Sequence, residues 1–301
     1  MNYKQELELR IQEIEQLLQE YLPEAEGYQK TVIEAMHYSV LSGGKRLRSI
    51  LMHETWKLFG GTGEMIRPFM AAMEMLHSYS LVHDDLPCMD DDEYRRGRKT
   101  THIVYGEGMA VLAGDALLNF AFETAIHSFD QAKNDTDRLL AARALSVFSG
   151  KAGIYGMIGG QTADLEAEDR GDTITEDQLL FIHANKTAAL IQASMLIGAI
   201  LAGAGKEDLE KLERCAYLIG IAFQIQDDIL DVTSSLEVLG KKTGSDVRKN
   251  KTTYVTLKGM DQAKQDVKQL SEEALAVLES FGSETNEFLC WLVRDLITRK
   301  K

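Results

Sequence analysis

Two clusters of aspartate each follow an apolar stretch of this sequence, and they are the residues best suited to chemistry. The first cluster comprises Asp84, Asp85, Asp90, Asp91 and Asp92, and the second comprises Asp227, Asp228 and Asp231. On a helix, the four-residue spacing of Asp227 and Asp231 puts both carboxylates on one face, with Cβ atoms about 5 to 6 Å apart. In the first cluster, Pro87 disrupts helical hydrogen bonding and lets Asp90 turn back toward Asp84. Oxygen ligands without nearby Cys or paired His favour Mg²⁺ over zinc or copper, so both clusters predict magnesium binding.

Acidic runs also have a simpler interpretation as solvated helix surface, which is the usual one in a chain this acidic. Against it, carboxylates at the ends of core helices repel each other and lose hydration unless a cation compensates for their charge. A calcium-binding EF-hand is excluded, because Tyr94 and Arg96 occupy positions where that loop needs oxygen ligands. Magnesium binding is therefore the interpretation that accounts for both clusters.

Basic residues lie directly after each acidic cluster. Arg95 and Arg96 follow the first, and Lys241 follows the second. Carboxylates, Mg²⁺ and Arg or Lys together are typical of a diphosphate site, since the metal bridges protein and phosphate oxygens while cationic side chains bind the remaining oxygens. A third basic segment, residues 43–48, is not a Walker A loop, because Arg46 stands where Ser or Thr should follow the lysine. By itself this segment also fits an exposed basic turn.

Composition and charge limit the classes of partner. The 301 residues include 33 Lys plus Arg and 47 Asp plus Glu, which gives a formal net charge of −14. Such a surface repels nucleic acid and anionic lipid, so we expect neither nucleic-acid binding nor membrane insertion. Cys88, Cys215 and Cys290 are far apart and lack CxxC spacing, which argues against disulfides and zinc and favours a reducing cytoplasm. The first ten residues also lack the apolar stretch of a secretory signal, so we predict a cytoplasmic protein.

Helices must position these side chains. The chain has only three prolines and is rich in strong helix formers, while strand patterns are nearly absent. Leu7, Ile11 and Ile14 begin one apolar stripe of an amphipathic helix. The uncharged segment 187–204 is long enough to span a membrane, but its Ala, Gly and polar residues predict a helix packed inside a large bundle. Because no linker interrupts the chain, we predict one all-α domain over residues 1–301.

Several motifs occur together along the chain. They are GGKRLR (43–48), DDLPCMD (84–90) with Arg95 and Arg96, GQTADL (160–165), Lys186 with Thr187, FQIQDDILD (223–231), and Lys241. This combination resembles the trans-isoprenyl diphosphate synthase family, and within it most closely the bacterial farnesyl diphosphate synthases, or geranyltranstransferases. The resemblance implies a single all-α bundle of about ten core helices around a deep central cavity, a homodimer, and about three Mg²⁺ ions per active site.

The resemblance also implies a role for each motif residue. Mg²⁺ would be held by Asp84, Asp85, Asp90, Asp227 and Asp231. The allylic diphosphate would be bound by Arg95, Lys186, Thr187, Gln224 and Lys241. Isopentenyl diphosphate would be bound by Gly44, Lys45, Arg48, His77 and Arg96. The catalytic set is then Asp84, Asp90, Lys186, Asp227 and Lys241. Taken alone, His77 also fits a core histidine.

The implied reaction joins isopentenyl diphosphate to dimethylallyl and then geranyl diphosphate, giving (2E,6E)-farnesyl diphosphate. Tyr79 and Ser80 would set the product length, because a side chain five residues before Asp84 lies about 7.5 Å deeper along a helix. Tyr79 also fits ordinary core packing. Three alternatives stay open: a geranylgeranyl diphosphate synthase, a class I terpene cyclase, and a non-catalytic helical scaffold that binds divalent ions.

Overall fold

A computed structural model describes residues 2–170, 174–233, 252–282 and 286–298. Helices account for nearly all of the regular structure in these ranges, so the predicted all-α fold class is confirmed. Two short strands, β1 (Tyr94–Arg95) and β2 (Arg98–Lys99), pair antiparallel directly after the first aspartate cluster.

The first eight helices lie within the first 170 residues of the chain. They are α1 (Tyr3–Tyr21), α2 (Lys30–Val40), α3 (Leu47–Leu58), α4 (Ile66–Asp84), α5 (Thr101–Tyr105), α6 (Glu107–Ile126), α7 (Asp135–Ala152) and α8 (Met157–Arg170). A 3₁₀ turn, His127–Gln131, follows α6.

The later helices of the described chain carry the second set of motifs. They are α9 (Glu176–Ile182), a π-helical turn (His183–Ala188), α10 (Ala189–Leu201), α11 (Lys206–Thr233), α12 (Tyr254–Lys258), α13 (Met260–Ser280) and α14 (Asn286–Thr298).

The chain divides into two compact units. The first comprises Met1–His53 and Gly63–Leu145, and the second comprises Glu54–Thr62 and Ser146–Lys301. These units do not decide whether the chain forms one domain, so the single-domain assignment for residues 1–301 stays a prediction.

In the first unit, α4 is the central helix and packs along α6. Side chains on most faces of α4 are buried, including Phe69, Met73 and Leu76. This burial follows from a sequence that is apolar around nearly the whole helix, since a helix that is hydrophobic on all faces is stable only when other elements shield it from water. The helix ends at Asp84, so the core of this unit leads directly into the first aspartate cluster.

In the second unit, α11 packs against α10 and α13. Every residue of α10 is buried, which confirms the prediction that the uncharged segment from residue 187 onward forms core. The apolar stretch 215–225 of α11 is also mostly buried, as its composition predicts. The second aspartate cluster therefore lies near the C-terminal end of a core helix.

Two helical stretches in the described ranges are long and apolar enough to span a membrane by length and composition alone. The stretch Glu176–Leu201 is 78% buried over its most apolar part, which is typical of a core helix. The stretch Glu107–Gln131 is only 39% buried over its most apolar part. Its exposed side chains include Val111, Leu112 and Ile126, so α6 presents apolar surface outside its own unit's core.

Candidate active site

The first aspartate cluster begins where α4 ends. The helix stops rather than kinks before Pro87, and the chain then turns so that the Asp90 N–H donates to the Asp84 carbonyl at 2.9 Å. The Asp91 N–H donates to the Leu86 carbonyl at 3.1 Å, and Asp91 takes a left-handed backbone conformation with φ of 52°. The turn back of Asp90 toward Asp84 is therefore confirmed for the backbone.

Arg95 lies on β1, three residues after the cluster, and its guanidinium sits among the cluster's carboxylates. Arg95 donates to Asp85 Oδ1 through Nε at 2.6 Å and through Nη2 at 2.5 Å. The same Nη2 lies 3.9 Å from carboxylate oxygens of Asp84 and of Asp92. Asp85 is buried, and this burial raises the pKa of its carboxyl although Arg95 opposes the shift. Predicted metal and diphosphate ligands are thus in direct contact here.

The basic segment 43–48 is anchored by Arg46, which sequence reasoning did not include in the site. Arg46 is 3% exposed, and its side chain donates to Glu15 Oε1 at 2.7 Å and to the Val40 carbonyl at 2.6 Å. Its Nη1 also lies 3.4 Å from Glu74 Oε2. Glu74 Oε1 accepts from the N–H of Ser49 at 3.2 Å, in the first turn of α3. One arginine of the motif therefore points into the core and fixes the turn.

The sequence does contain a signal for this anchor. Glu74 is an isolated carboxylate within the apolar run of α4, and it is 2% exposed in the structure. A lone charge in a core helix requires a buried partner, which is Arg46 here. The sequence alone does not say which of many cations that partner is.

Arg48 of segment 43–48 lies near Arg96, which follows the first aspartate cluster. Arg96 donates through Nη1 to the Gly43 carbonyl. Gly44 has a φ of 139°, and a Cβ there would lie 2.7 Å from Arg96 Nη1, so only glycine leaves room for this guanidinium. Lys45 is exposed. Burial, followed by the charge of Arg96, lowers the pKa of Arg48 to about 10, while Glu74 opposes the shift.

Arg48 and His77 both lie close to other positive charges. Arg48 Nε is buried and has no hydrogen-bond partner within the described ranges. Desolvation and then the nearby charges of Arg48 and Arg96 hold the pKa of His77 well below its usual value. The first unit therefore places Gly44, Arg48, His77 and Arg96 near one another.

Tyr79 lies on the buried side of α4, one and a half turns before Asp84. It is 5% exposed, and its ring meets the His83 ring edge-on at 5.7 Å between centroids. Burial raises the pKa of Tyr79 to about 12. Ser80 is half-buried and donates to the His77 carbonyl of its own helix at 2.8 Å. The role of both residues in product length stays a prediction.

In the second unit, the π-helical turn carries Lys186 and Thr187. Lys186 Nζ lies 2.7 Å from Asp164 Oδ2, on the GQTADL motif of α8. Thr187 Oγ1 donates to Gln224 Oε1 at 2.8 Å. Asp164 belongs to the GQTADL motif, and its 4% exposure shows that Lys186 has a buried carboxylate partner that the sequence alone did not identify.

Asp228 and Asp231 of α11 differ in their surroundings. Asp228 is 5% exposed and accepts from the Tyr254 N–H at 2.8 Å and from Gln224 Nε2 at 3.3 Å. Asp231 Oδ2 is buried and has no hydrogen-bond partner in the part of the chain that the structure describes. A buried carboxylate oxygen without a donor is suited to a cation, so Asp231 fits the predicted metal ligand.

The carboxylates in the described ranges match the ligands that Mg²⁺ prefers. Across the described ranges, no three His, Cys, Asp or Glu side chains converge on one point as a ready-made metal cage. Mg²⁺ is usually held by one or two carboxylates together with substrate phosphates and water, so isolated carboxylate pairs fit it better than such a cage. Lys241 lies outside the described residues, as does the basic end of the chain.

Comparison with known proteins places these motifs in a family. Residues 29–286 match the Polyprenyl synthetase family. The chain is 40% identical to the farnesyl diphosphate synthase of Escherichia coli K12 over 286 residues, which cover 95% of this chain and 94% of that protein. It is 46% identical over 250 residues to a chloroplastic geranylgeranyl pyrophosphate synthase of Capsicum annuum, covering 83% of this chain and 66% of that protein.

Solved structures agree with the sequence comparison. An FPP/GFPP synthase from Zymomonas mobilis superposes with a TM-score of 0.88 at 33% identity, with 99% of both chains covered. A geranyltransferase from Helicobacter pylori, complexed with magnesium and isoprenyl diphosphate, superposes with a TM-score of 0.85 at 30% identity, with 98% of both chains covered. With its motifs, helical fold and match over residues 29–286, the chain belongs to the polyprenyl synthetase family of prenyltransferases.

Proposed function

We propose that this prenyltransferase condenses isopentenyl diphosphate with dimethylallyl and then geranyl diphosphate to give (2E,6E)-farnesyl diphosphate, with residues 1–301 serving as one synthase domain. The main support for a C15 product is the buried ring of Tyr79, which lies on α4 five residues before Asp84. The near-complete coverage of the Escherichia coli farnesyl diphosphate synthase supports the same product. The Capsicum annuum relative supports the alternative, geranylgeranyl diphosphate.

We propose Asp84, Asp85 and Asp90 of the first unit and Asp227 and Asp231 of the second as the magnesium ligands. When bound, Mg²⁺ supplies positive charge that neutralises the diphosphate leaving group. The bound magnesium of the Helicobacter pylori geranyltransferase supports this choice of ion. About three ions per active site remain the expectation from the family.

The cationic side chains of this chain would stabilise the departing diphosphate. Arg95, Lys186 and Lys241 are proposed to bind its oxygens, and Thr187 and Gln224 complete the allylic site. Breaking the allylic C–O bond leaves the electron pair on the diphosphate and a carbocation on the prenyl chain, and positioned cations favour that charge separation. Burial of the prenyl chain would exclude water, which would otherwise quench the carbocation.

Isopentenyl diphosphate is proposed to bind at Gly44, Lys45, Arg48, His77 and Arg96. The buried Arg48 Nε without a partner in the described ranges supports an anionic ligand there. The isopentenyl double bond then attacks the allylic carbon, and a proton leaves the adjacent carbon, with the departed diphosphate as its acceptor. Because the pKa of His77 lies well below its usual value, His77 is proposed to contact isopentenyl diphosphate as a neutral ring, while the positive charge of the site comes from the arginines and Lys45.

We further propose a cytoplasmic homodimer. The exposed apolar side chains of α6, including Val111, Leu112 and Ile126, are suited to burial against a second copy of the chain. The net charge of −14 supports small anionic substrates held by local cations rather than nucleic acid or anionic membranes as partners.

A single assay tests the proposed reaction and separates its rivals. The protein is incubated with isopentenyl and dimethylallyl diphosphates and Mg²⁺, and the products are dephosphorylated and sized by mass spectrometry. Farnesol as the main alcohol is expected, and geranylgeraniol as the main alcohol would replace the proposed product. A terpene cyclase would instead release hydrocarbon from an allylic diphosphate alone, and a scaffold would bind the diphosphates without turnover.

A further inference from the structure

The π-helical turn His183–Ala188 is packed unusually closely by its neighbours in the second unit. A Cβ on Gly160 of α8 would lie 2.1 Å from the backbone nitrogen of Lys186, and a Cβ on Gly220 of α11 would lie 2.2 Å from Ala188 Cβ. π-Helical turns are rare, occur mostly as single turns within α-helices, and are frequent at functional sites. The two glycines therefore let neighbouring backbones hold a conformation that presents Lys186 and Thr187.

A chain of hydrogen bonds leads from this turn to the middle aspartate of the second cluster. Thr187 Oγ1 lies 2.8 Å from Gln224 Oε1, and Gln224 Nε2 lies 3.3 Å from Asp228 Oδ1. Gln224 and Asp228 are four residues apart on α11 and so share one face. The other carboxylate oxygen, Asp228 Oδ2, accepts from the Tyr254 N–H at 2.8 Å. The Asp228 side chain is almost completely buried.

The carboxylate sets the direction of every bond in this chain. An ionised Asp228 can only accept, so Gln224 must turn its NH₂ group toward it and its carbonyl oxygen toward Thr187. The Thr187 hydroxyl then donates its hydrogen to Gln224. Its oxygen lone pairs remain for an electron-poor group, and no hydroxyl hydrogen is left for a phosphate oxygen.

We infer that Asp228 is a positioning residue rather than a metal ligand: through Gln224 it orients the Thr187 hydroxyl so that its oxygen faces the electron-poor allylic carbon. The inference rests on the proposed prenyl transfer and assigns a distinct task to the middle aspartate. Asp231, one turn further along, differs because its buried Oδ2 has no hydrogen-bond partner among the described residues.

The first test is Asp228→Asn. Asparagine has one acceptor oxygen, which the Tyr254 N–H retains, so its NH₂ group faces Gln224. The Gln224 amide must then rotate, and Thr187 accepts from it and directs its hydrogen toward the ligand. We expect kcat to fall roughly 10- to 100-fold, the effect of one misdirected hydrogen bond near a charge, while KM for isopentenyl diphosphate stays unchanged.

The second test exchanges the acid and the amide. In the double variant Asp228→Asn/Gln224→Glu, the new amide donates to the new carboxylate, whose other oxygen accepts from Thr187 as in the wild type. We expect kcat to recover to within about threefold of the wild type, because the original direction of the bonds is restored. Thr187→Val should lower kcat in the wild type and cause no further loss in Asp228→Asn, since both changes remove the same lone pairs.

Controls separate positioning from folding and from metal binding. Asp266 accepts from the Tyr254 hydroxyl at 2.8 Å and is not part of the hydrogen bonds that join Thr187, Gln224 and Asp228. Asp266→Asn should therefore leave kcat unchanged. Gln224→Met breaks the connection while leaving the Asp228 contact with Tyr254, and should lower kcat like Asp228→Asn even if the latter folds poorly. Thermal unfolding in metal-free buffer should show a lower midpoint for Asp228→Asn than for Asp227→Asn, because Asp228 is the more deeply buried of the two side chains.

The outcomes distinguish this inference from the proposed function. Rates are measured as total isopentenyl incorporation onto geranyl diphosphate, so the product length does not enter. Absence of incorporation by the wild type would remove the prenyl-transfer proposal and this inference with it. With an active wild type, the inference alone is overturned by a wild-type kcat in Asp228→Asn or in Gln224→Met. It is also overturned by a folded double variant without recovery, or by an Mg²⁺ requirement in Asp228→Asn raised as much as in Asp227→Asn.

Discussion

Arg95 donates to a single carboxylate oxygen of Asp85 through two of its nitrogens, at 2.6 and 2.5 Å. The pair joins a residue proposed to bind diphosphate to one proposed to bind Mg²⁺. Because Asp84 and Asp92 also approach the same guanidinium, Arg95 compensates negative charge that a metal would otherwise have to neutralise. Arg95 thus stabilises the buried Asp85 carboxylate in the folded protein.

Removing this arginine should make the fold depend more on metal. Arg95→Gln leaves the Asp85 carboxylate buried without its charged partner, at a cost of about 1.5–3 kcal/mol in the free energy of unfolding. Added Mg²⁺ should recover more stability in the variant than in the wild type, since a cation bound only to the folded state stabilises it. Thermal unfolding with and without Mg²⁺ measures both effects.

Arg98→Gln is the matched control for that experiment. Arg98 lies on the same hairpin but stacks over the Tyr38 ring at 4.5 Å instead of contacting the acidic cluster. Equal responses of the two variants to Mg²⁺ would contradict the compensating role of Arg95.

Each aspartate cluster should be required for turnover. Asp84→Ala and Asp227→Ala each remove a proposed metal ligand, so we expect Mg²⁺-dependent condensation to fall by about two to three orders of magnitude or more. The exposed Asp135, which pairs only locally with Arg138, provides an Asp→Ala control with wild-type activity. Near-normal turnover in either cluster variant would remove its assignment as a ligand.

The ring of Tyr79 should limit the product length. Tyr79→Ala opens space beside α4, so we expect products longer than the wild-type product, together with a stability loss of about 3–5 kcal/mol for truncating a buried aromatic residue. Mass spectrometry of the dephosphorylated products measures the length. Tyr105→Ala controls for loss of an aromatic residue elsewhere in the first unit, and an unaltered product from Tyr79→Ala would show that another residue sets the limit.

His77 should make the protein less stable in mild acid. Its pKa in the folded state lies well below the usual value, whereas in the unfolded chain it binds a proton near pH 6.5. Below about pH 6.5 the unfolded state therefore binds more protons, and stability falls as the pH decreases, by at most about 1.4 kcal/mol per pH unit from this group. In His77→Gln the slope should be smaller, as measured by urea unfolding between about pH 7.5 and pH 5.5. Parallel slopes in the two proteins would contradict a His77 that stays neutral in the folded state.

The close approach at Gly220 should be essential to the π-helical turn. In Gly220→Ala the new methyl group would meet Ala188 at 2.2 Å, so the turn and α11 must separate. We expect a stability loss of about 1–3 kcal/mol together with a lower kcat, because Lys186 and Thr187 move with the turn. Gly150→Ala, on α7 with nothing within 4 Å of the added methyl, should be neutral or stabilising. Equal behaviour of the two variants would mean that the turn tolerates displacement.

Much of this protein could be predicted from its sequence because the relevant physics is local. Helix formers, few prolines and apolar periodicity are properties of neighbouring residues, and they predicted the all-α fold and the buried α10. The spacing of Asp227 and Asp231 and the position of Pro87 likewise act within one or two turns. The family motifs then supplied roles for residues whose chemistry was already evident.

The tertiary structure decided which charges meet. Arg46 binds Glu15 and Glu74, which are 31 and 28 residues away along the chain, and Thr187 reaches Asp228 through Gln224, 37 residues away. No local pattern specifies such pairs, because any of several buried cations could compensate a buried carboxylate until packing brings one within hydrogen-bonding distance. The sequence by itself therefore determined the elements and the chemistry of their side chains, and folding determined which of them act as partners.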